Sequence, residues 1–322
     1  MKKRLLRPLS VTVSLLLCLL PLFGCAKEDG RPVIVTTTYL MADLTREVLG
    51  DTAKEYNITV LASRGEDIHS YEPTVGDIYA LSRCELFIHV GGESEEWVQG
   101  VLRSAQNPDM RELSLMSECA HMLCRHEHEH EAEDGHGHSA HEHEYDEHIW
   151  FSFDIICESA ELIAREAGLL DSGRAQVYSE NAKGFCERVR ALEAEYISCV
   201  ENAPKSMILV ADRFPFFYLT ESLGIEYEAA FDGCSAESEA SFALISELSY
   251  AIDREELSYV LVCEGSDRAV ADAVISNTKQ KNARVLVLDS MQSVKEEDVR
   301  AGWSYLLATE KNLEVLRTAL GG

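Results

Sequence analysis

The sequence predicts an α/β protein of two lobes, each with a parallel β-sheet flanked by helices, joined by one long rigid α-helix. Patterns of buried strands and amphipathic helices alternate over residues 32–104 and return after Pro204. Such alternation is typical of parallel sheets with helices on their faces. A long helical pattern separates the two blocks. We therefore expect an amino-terminal lobe at 32–150, a helical linker at 151–203 and a carboxyl-terminal lobe at 204–322.

The amino-terminal lobe contains three apolar strand patterns, each followed by a helix pattern. The strand patterns are P-V-I-V-T-T-T from Pro32, N-I-T-V-L-A from Asn57 and E-L-F-I-H-V from Glu85. The helix patterns cover residues 40–49, 74–82 and 94–104. Gly50 follows the first helix, and glycine commonly ends helices because it adopts backbone conformations that other residues avoid.

The linker carries a regular apolar stripe. Its members recur at alternating spacings of four and three residues: Tyr178, Ala182, Phe185, Val189, Leu192, Tyr196 and Cys199. This spacing predicts a continuous helix from an N-cap at Asp171 or Ser172 to about Asn202, roughly 45 Å long at 1.5 Å per residue. Because glycine weakens helices, Gly184 leaves open two shorter helices with a break there. We expect the long helix to contact both lobes.

The carboxyl-terminal lobe repeats the alternation. Its strand patterns are M-I-L-V, I-E-Y-E-A-A-F, S-Y-V-L-V-C and R-V-L-V-L, at 207–210, 225–231, 258–263 and 284–288. Helices are predicted at 214–223, 237–252, 268–277 and, closing the chain, 296–320. The second lobe is therefore expected to be built like the first.

The first residues predict export and lipidation. Four basic residues precede an apolar run of 13 residues, 11–23, which is too short for a membrane span of about 20 residues and typical of a secretory signal. The run ends in Leu-Phe-Gly-Cys, which resembles a lipobox with Cys25 as the acylated residue; ordinary signal cleavage is the alternative. We expect a lipoprotein signal peptide at 1–24, a tether at 25–31 and an extracytoplasmic protein anchored to the bacterial membrane as a lipoprotein.

A tract rich in histidine and acidic residues interrupts the first lobe. Nine of the eleven histidines lie between His121 and His148. Imidazole and carboxylate groups without aliphatic residues cannot build a core, but they suit divalent ions such as Zn²⁺; a solvated loop without a ligand is the alternative. We expect loop 121–147 to supply auxiliary metal ligands: His126, His128, His130, His136, His138, His141 and His143. The formal charge of -27 also favours cations and excludes nucleic acid as a partner.

His69 and His148, the last histidine of the nine, occupy positions where open α/β folds place ligands. His69 follows the second predicted strand in R-G-E-D-I-H-S-Y-E-P, and His148 follows the histidine tract in D-E-H-I-W-F. Polar residues beyond the carboxyl ends of parallel strands often bind ligands. Trp150 and Phe151 can hold the His148 ring in one orientation. We interpret His69 and His148 as metal ligands.

These motifs resemble one family over almost the whole chain, 32–320. The stretches G-E-D-I-H-S-Y-E-P-T-V-G-D-I, G-G-E-S-E-E-W and D-E-H-I-W, with the histidine tract and the long helix, are similar to the metal-binding lipoproteins that feed zinc or manganese ABC importers. The resemblance implies two lobes of four-stranded parallel sheets, one metal ion in the cleft between them, and His69 and His148 as ligands. It also implies an ABC permease and its ATPase as partners.

The carboxyl-terminal lobe departs from the zinc-type pattern at the third histidine. The matching stretch is L-V-A-D-R-F-P-F, with Ala211 at the ligand position and Asp212 beside it. Asp212 is our candidate for the replacement ligand. It is equally suited to cap the helix ahead of Phe214 or to pair with Arg213.

A fourth ligand is expected at the end of the strand S-Y-V-L-V-C. Glu264 follows that strand and matches a carboxylate that often completes the site in the family. Water or Asp267 are alternatives for this position, and Cys234 is an outside candidate.

The sequence thus predicts a substrate-binding lipoprotein that captures Zn²⁺ and delivers it to an ABC importer. Two imidazoles with carboxylates suit Zn²⁺, whereas Mn²⁺, the alternative cargo, prefers more oxygen ligands. A zinc hydrolase is a second hypothesis, but no H-E-x-x-H helix is present, so we expect no enzyme. A surface adhesin or zinc buffer is a third. We expect a monomer.

Overall fold

Two four-stranded parallel sheets form the framework of the protein, as predicted. The computed structural model describes residues 30–63, 65, 68–124, 145–233 and 240–321. Both sheets have the same topology: the first strand of each lobe lies between the second and the third, and the fourth lies beside the third. All strand pairs within the two sheets are parallel.

The amino-terminal lobe follows the predicted order with one added strand. Its elements are β1 (Val33–Thr36), α1 (Tyr39–Leu49), β2 (Asn57–Val60), α2 (Val75–Leu81), β3 (Leu86–His89), α3 (Trp97–Ala105), β4 (Arg111–Ser114) and α4 (Leu115–Glu118). Strand β4 is not predicted by the sequence because its residues, R-E-L-S, show no apolar run; only Leu113 is buried. The helix predicted at 94–104 begins at Trp97, after a 3₁₀ turn at Glu93–Glu95.

The carboxyl-terminal lobe contains four strands as predicted. Its elements are β5 (Met207–Phe214), α7 (Phe217–Leu223), β6 (Glu226–Asp232), α8 (Phe242–Glu255), β7 (Tyr259–Cys263), α9 (Ala269–Asn277), β8 (Arg284–Leu288), α10 (Glu296–Arg300) and α11 (Tyr305–Leu320). The prediction of a single closing helix at 296–320 is wrong, because two helices, α10 and α11, occupy this range. Gly302 adopts a positive φ of 97° and ends the first helix, and the Ser304 side chain caps the second.

Two antiparallel helices, α5 (Phe153–Leu170) and α6 (Ala175–Glu201), connect the lobes. Helix α6 has 27 residues and continues through Gly184, so the predicted long helix is confirmed and the alternative of a break is wrong. The N-cap predicted at Asp171 or Ser172 is also wrong, because Asp171 ends α5 and its carboxylate accepts a hydrogen bond from the Gly173 N–H.

Helix α6 contacts both lobes through polar groups as well as its apolar stripe. Near its start, the Tyr178 hydroxyl lies 3.0 Å from the Tyr56 hydroxyl of the first lobe. Near its end, the Tyr196 hydroxyl donates to the Thr309 carbonyl of α11 at 2.7 Å. One apolar cluster includes buried residues of both sheets and of α6. The long helix is therefore packed into a shared core rather than exposed as a tether.

Direct hydrogen bonds also join the lobes beside the cleft. The Trp150 indole N–H donates to the Ser290 carbonyl at 3.1 Å, and the Tyr305 hydroxyl donates to the Trp150 carbonyl at 3.1 Å. The Asp43 carboxylate accepts the Tyr305 backbone N–H at 2.8 Å. Among the residues that the structure describes, none of the helices combines the length and apolar character needed to cross a membrane.

Candidate metal centre

The two predicted histidines of the first lobe lie together where the two lobes meet. His69 belongs to a short 3₁₀ turn, Ile68–Ser70, which is anchored by buried Ile68 beyond the carboxyl end of β2. His148 directly precedes another 3₁₀ turn, Ile149–Phe151, whose three side chains are all buried. The ring centroids of the two histidines are 5.5 Å apart. The chain therefore brings together two imidazoles that are 79 positions apart in the sequence.

Glu147 orients the His69 ring. Its Oε1 lies 3.0 Å from His69 Nδ1, and its Oε2 accepts the Ser94 backbone N–H at 3.1 Å. The Ser94 hydroxyl contacts both groups. Burial alone raises the pKa of Glu147, but hydrogen bonds with His69 and Ser94 outweigh it and lower the pKa to about 2. An ionised carboxylate at Nδ1 keeps the ring proton there, which leaves the Nε2 lone pair as the acceptor.

Asp146 orients the His148 ring in the same way. Its Oδ1 lies 3.0 Å from His148 Nδ1 and also accepts the His148 backbone N–H at 2.8 Å. The edge of the ring packs on Trp150 at a centroid distance of 5.2 Å, and His148 is fully buried. Both imidazoles thus have Nδ1 bound by a carboxylate, the arrangement that fixes the tautomer of histidines whose Nε2 binds a metal.

Glu264, the predicted fourth ligand, follows β7 at the carboxyl edge of the second sheet. Its two oxygens accept hydrogen bonds from the Ser290 backbone N–H and hydroxyl, both at 2.6 Å. Burial and the negative charge of Asp289 raise the pKa of Glu264 to about 7, against the lowering effect of the Ser290 hydrogen bonds. The Ser290 carbonyl accepts the Trp150 indole N–H, and the Trp150 ring packs against His148. Ser290 and Trp150 therefore connect Glu264 to the histidine pair.

Asp212, the predicted replacement ligand, lies inside β5 rather than at a helix end. Its Oδ1 accepts the Arg213 backbone N–H at 2.9 Å and its Oδ2 accepts the Cys263 backbone N–H at 3.2 Å. These bonds join β5 to β7 where the register of β5 with β6 shifts between Val210 and Arg213. The alternative of a helix N-cap is wrong, since the next helix begins at Phe217 with Phe216 as its N-cap.

The described conformation does not gather a complete ligand set. Within residues 30–124 and 145–321, omitting those left undescribed, no three His, Cys, Asp or Glu side chains lie close enough together to hold a metal ion. His69 and His148 are together, whereas Asp212 and Glu264 are bound by neighbouring backbone and serine groups.

Several residues at the centre were missed from the sequence. Asp146 and Glu147 directly precede His148, so the string D-E-H was a usable signal. Asp289 follows β8 just as Glu264 follows β7, and the pairing of Cys263 with Leu288 puts the two carboxylates on neighbouring strand ends. The rule that polar residues beyond the carboxyl ends of parallel strands bind ligands, which was applied to His69, would therefore also have found Asp289.

Gln292 is a further missed residue, and no sequence signal predicts it. It lies in the loop after β8, and its Nε2 is 3.0 Å from His69 Nε2. The carboxyl-terminal lobe therefore contacts the nitrogen of His69 that faces away from Glu147.

The seven candidate loop histidines, Cys25 and Cys234 lie outside the described residues. The ends of the histidine tract are described, however, and both meet the hydroxyl of Tyr218 on α7. That oxygen accepts the Cys124 backbone N–H at 3.3 Å and donates to the Asp146 carbonyl at 3.0 Å. Because Asp146 also binds His148, the tract begins and ends beside the candidate centre.

Comparison with known proteins finds relatives over most of the chain. Residues 34–319 match the family described as "Zinc-uptake complex component A periplasmic". The zinc-binding lipoprotein AdcA of Streptococcus pneumoniae is 28% identical over 304 residues, covering 94% of this chain but 59% of the relative. The high-affinity zinc uptake system protein ZnuA of Bacillus subtilis is 24% identical over 298 residues, covering 92% of this chain and 90% of the relative.

Solved structures share the fold. The periplasmic zinc-binding protein TroA from Treponema pallidum superposes with a TM-score of 0.73 at 18% identity, covering 91% of this chain and 100% of that one. Zn(II)-bound AdcA from Streptococcus pneumoniae gives 0.72 at 24% identity, covering 91% of this chain and 58% of that one. At these identities the likeness establishes the two-lobed fold.

Proposed function

The chain belongs to the family of zinc-uptake complex components that its residues 34–319 match, and on this premise we propose that it captures Zn²⁺ in the cleft between its lobes and delivers it to an ABC importer. The chain spans 59% of the length of the lipoprotein AdcA, so the cargo and partners of that longer relative enter here as part of the proposal.

The observation that carries the proposal is the pair of carboxylate-bound imidazoles. Glu147 and Asp146 each bind the Nδ1 of one histidine at 3.0 Å. His69 and His148 thereby present Nε2 as the metal-binding nitrogen, and imidazole nitrogen is a preferred ligand of Zn²⁺. Mn²⁺, the alternative cargo, prefers sites with more oxygen ligands, so the histidine pair favours zinc.

Carboxylates of the second lobe complete the proposed site. Glu264 is the first candidate and Asp212 the second, with Asp289 added from its place at the same sheet edge. Each oxygen of Glu264 and Asp212 accepts a hydrogen bond in the described conformation. A carboxylate oxygen has two lone pairs, so each retains the capacity to bind a cation. Zinc binding would draw one of these carboxylates toward the histidine pair.

Carrier function is favoured over hydrolysis by how the nearby acids are used. Glu147 and Asp146 bind the Nδ1 atoms of the two imidazoles rather than standing free as general bases. The proposal also includes acylation of Cys25, an extracytoplasmic location at the bacterial membrane, a monomeric carrier, and a permease with its ATPase as partners.

Substitution of the two histidines tests the proposal. His69→Ala and His148→Ala should each weaken zinc binding by more than about 100-fold, because loss of a residue that merely orients a ligand already costs 10- to 100-fold. Competition with a chromophoric chelator measures the affinity, and native mass spectrometry counts the ions. His121→Ala is the matched control for the affinity of the tight site, since His121 is exposed and lies outside the pair. His121 belongs to loop 121–147, so the total ion count is not compared for this variant.

The acidic candidates are separated in the same assay. Glu264→Gln, Asp212→Asn and Asp289→Asn keep the shape of each side chain and remove its charge, so the variant with the largest loss identifies the carboxylate ligand. If both histidine variants bind zinc as tightly as the unaltered protein, the cleft is not the zinc site.

A further inference from the structure

Gln292 reaches across the cleft to the histidine pair. It belongs to the loop after β8 and is half-buried, and its amide nitrogen lies 3.0 Å from His69 Nε2. The amide oxygen lies 3.3 Å from Ser290 Oγ. The side chain therefore directs its nitrogen toward His69 and its oxygen back toward its own loop.

The position of the proton on the His69 ring decides which group donates the hydrogen bond in this contact. Its Nδ1 faces the Glu147 carboxylate, so the ring proton lies on Nδ1 and Nε2 is an acceptor. The Gln292 amide N–H is then the donor. The lone pair that receives this hydrogen bond is the one that a metal ion bound to His69 would use, so the two cannot occupy it together.

The loop that carries Gln292 is firmly held. Glu264 accepts both the N–H and the hydroxyl of Ser290, the Ser290 carbonyl accepts the Trp150 indole N–H, and Asp289 accepts the Met291 backbone N–H at 2.8 Å. Met291, the residue before Gln292, has a positive φ of 63°. The backbone that carries Gln292 is thus held in place, and the contact of its amide oxygen with Ser290 Oγ directs the amide nitrogen toward His69.

We propose that Gln292 is an internal competitor of the metal cargo. In the metal-free protein its amide occupies the His69 lone pair, an entering cation displaces it, and its return assists release of the cation. Gln292 thereby lowers affinity and speeds dissociation, properties suited to a protein that must give up what it binds. The inference rests on the proposed function, because it assumes that His69 is a ligand.

The test compares Gln292→Met with the unaltered protein. Methionine keeps the length of the side chain but removes the amide, and Gln292→Ala is the second variant should methionine disturb folding. Zinc affinity should rise about 2- to 12-fold, the range that corresponds to the net worth of one hydrogen bond. The rate of zinc loss to excess chelator should fall by a similar factor.

Gln280→Met is the matched control. Gln280 is exposed and precedes β8, whereas Gln292 follows β8, so the two glutamines lie at opposite ends of the same strand. Its substitution should leave affinity and dissociation rate unchanged.

A second measurement needs no metal. The ¹⁵N chemical shift of His69 Nε2 in the metal-free protein should move toward that of an unbonded pyridine-type nitrogen in Gln292→Met, and stay in place in Gln280→Met. An unchanged shift overturns the inference, as does zinc affinity that is equal or lower in the Gln292 variants. Failure of His69→Ala to affect zinc binding would instead refute the proposed function.

Discussion

A buried cluster of charged residues in the first lobe is expected to determine how the stability of the protein depends on pH. His89, at the end of β3, is 5% exposed, and its two ring nitrogens lie 3.0 Å from Glu95 and 3.1 Å from Glu112. Burial alone lowers the pKa of His89, but the two carboxylates outweigh it and raise the pKa to about 9. His89 is therefore a cation at neutral pH, held between two anions.

Stability should consequently fall as pH rises. The folded pKa of about 9 exceeds the unfolded value near 6.5, so the stabilisation is complete below pH 6.5 and is lost through pH 9. Urea unfolding across this range should show a decrease of about 2 to 3 kcal/mol in the free energy of unfolding. Glu112→Gln should reduce that decrease, because it removes one of the two charges that raise the pKa of His89.

Glu118→Gln is the control, since Glu118 pairs with Arg165 on the surface and does not contact His89. An identical pH dependence in Glu112→Gln and the unaltered protein would contradict the assignment.

The site residues that could be predicted are those whose position follows from the neighbouring sequence. His69 and His148 could be predicted because each follows a recognisable segment at the carboxyl side of the sheet. Gln292 could not, because its importance arises from a contact with a residue in the other lobe. Asp212 was a candidate because it follows a predicted strand, but β5 continues past it, and its carboxylate accepts hydrogen bonds from the Arg213 and Cys263 backbone.

At the element scale, regular periodicity was predictable and junctions were not. The stripe on α6 is long enough to define a helix, and Gly184 does not interrupt it. By contrast, the strand β4 has a single buried residue, and the joint between α5 and α6 depends on how Asp171 binds the Gly173 N–H. Short elements and joints are determined by packing partners that only the folded chain supplies.

Gly184 and Gly168 should respond in opposite ways to alanine. A Cβ at Gly184 would meet no heavy atom within 4 Å, so Gly184→Ala should raise the free energy of unfolding by about 0.5 to 1 kcal/mol through helix propensity. A Cβ at Gly168, in α5, would lie 2.9 Å from the Ala175 Cβ and 3.3 Å from its Cα. Gly168→Ala should therefore destabilise the protein.

Urea unfolding measures both variants, and zinc affinity should stay unchanged in Gly184→Ala because α6 lies outside the histidine pair. A loss of stability in Gly184→Ala would indicate that the helix requires backbone freedom at this position.

At the scale of the whole molecule, the two lobes behave as one packed unit with an acidic surface. Residues of both sheets share a core with α6, and the formal charge is -27. The alternation of strands and helices predicted this architecture, because each βα unit must bury its apolar face against a neighbour. How the lobes meet depends on contacts such as Trp150 with Ser290, which no periodicity encodes.

Removal of residues 126–143 tests whether the histidine tract binds extra zinc ions without forming part of the tight site. The variant should bind fewer zinc ions in total while keeping one tight site, because the two imidazoles of the cleft lie outside the deletion. Native mass spectrometry counts the ions and chelator competition measures the tight site. Since both tract ends meet at Tyr218, a short glycine-serine linker can replace the segment. Loss of the tight site would contradict the division of roles.

A tract of the same length with its seven histidines changed to glutamine is the control. It should lose the extra ions in the same way, which separates the effect of the imidazoles from the effect of shortening the chain.

The hydroxyl of Tyr218 has a consequence for local supply. Because it binds backbone groups at both ends of the tract, the chain length of 20 extended residues limits the reach of segment 125–144 from this hydroxyl to about 35 Å. An ion held by the tract, as proposed, would meet the histidine pair at an effective concentration in the millimolar range for as long as it stays bound. Direct transfer from the tract would then supply the pair independently of the ion concentration in the surrounding medium.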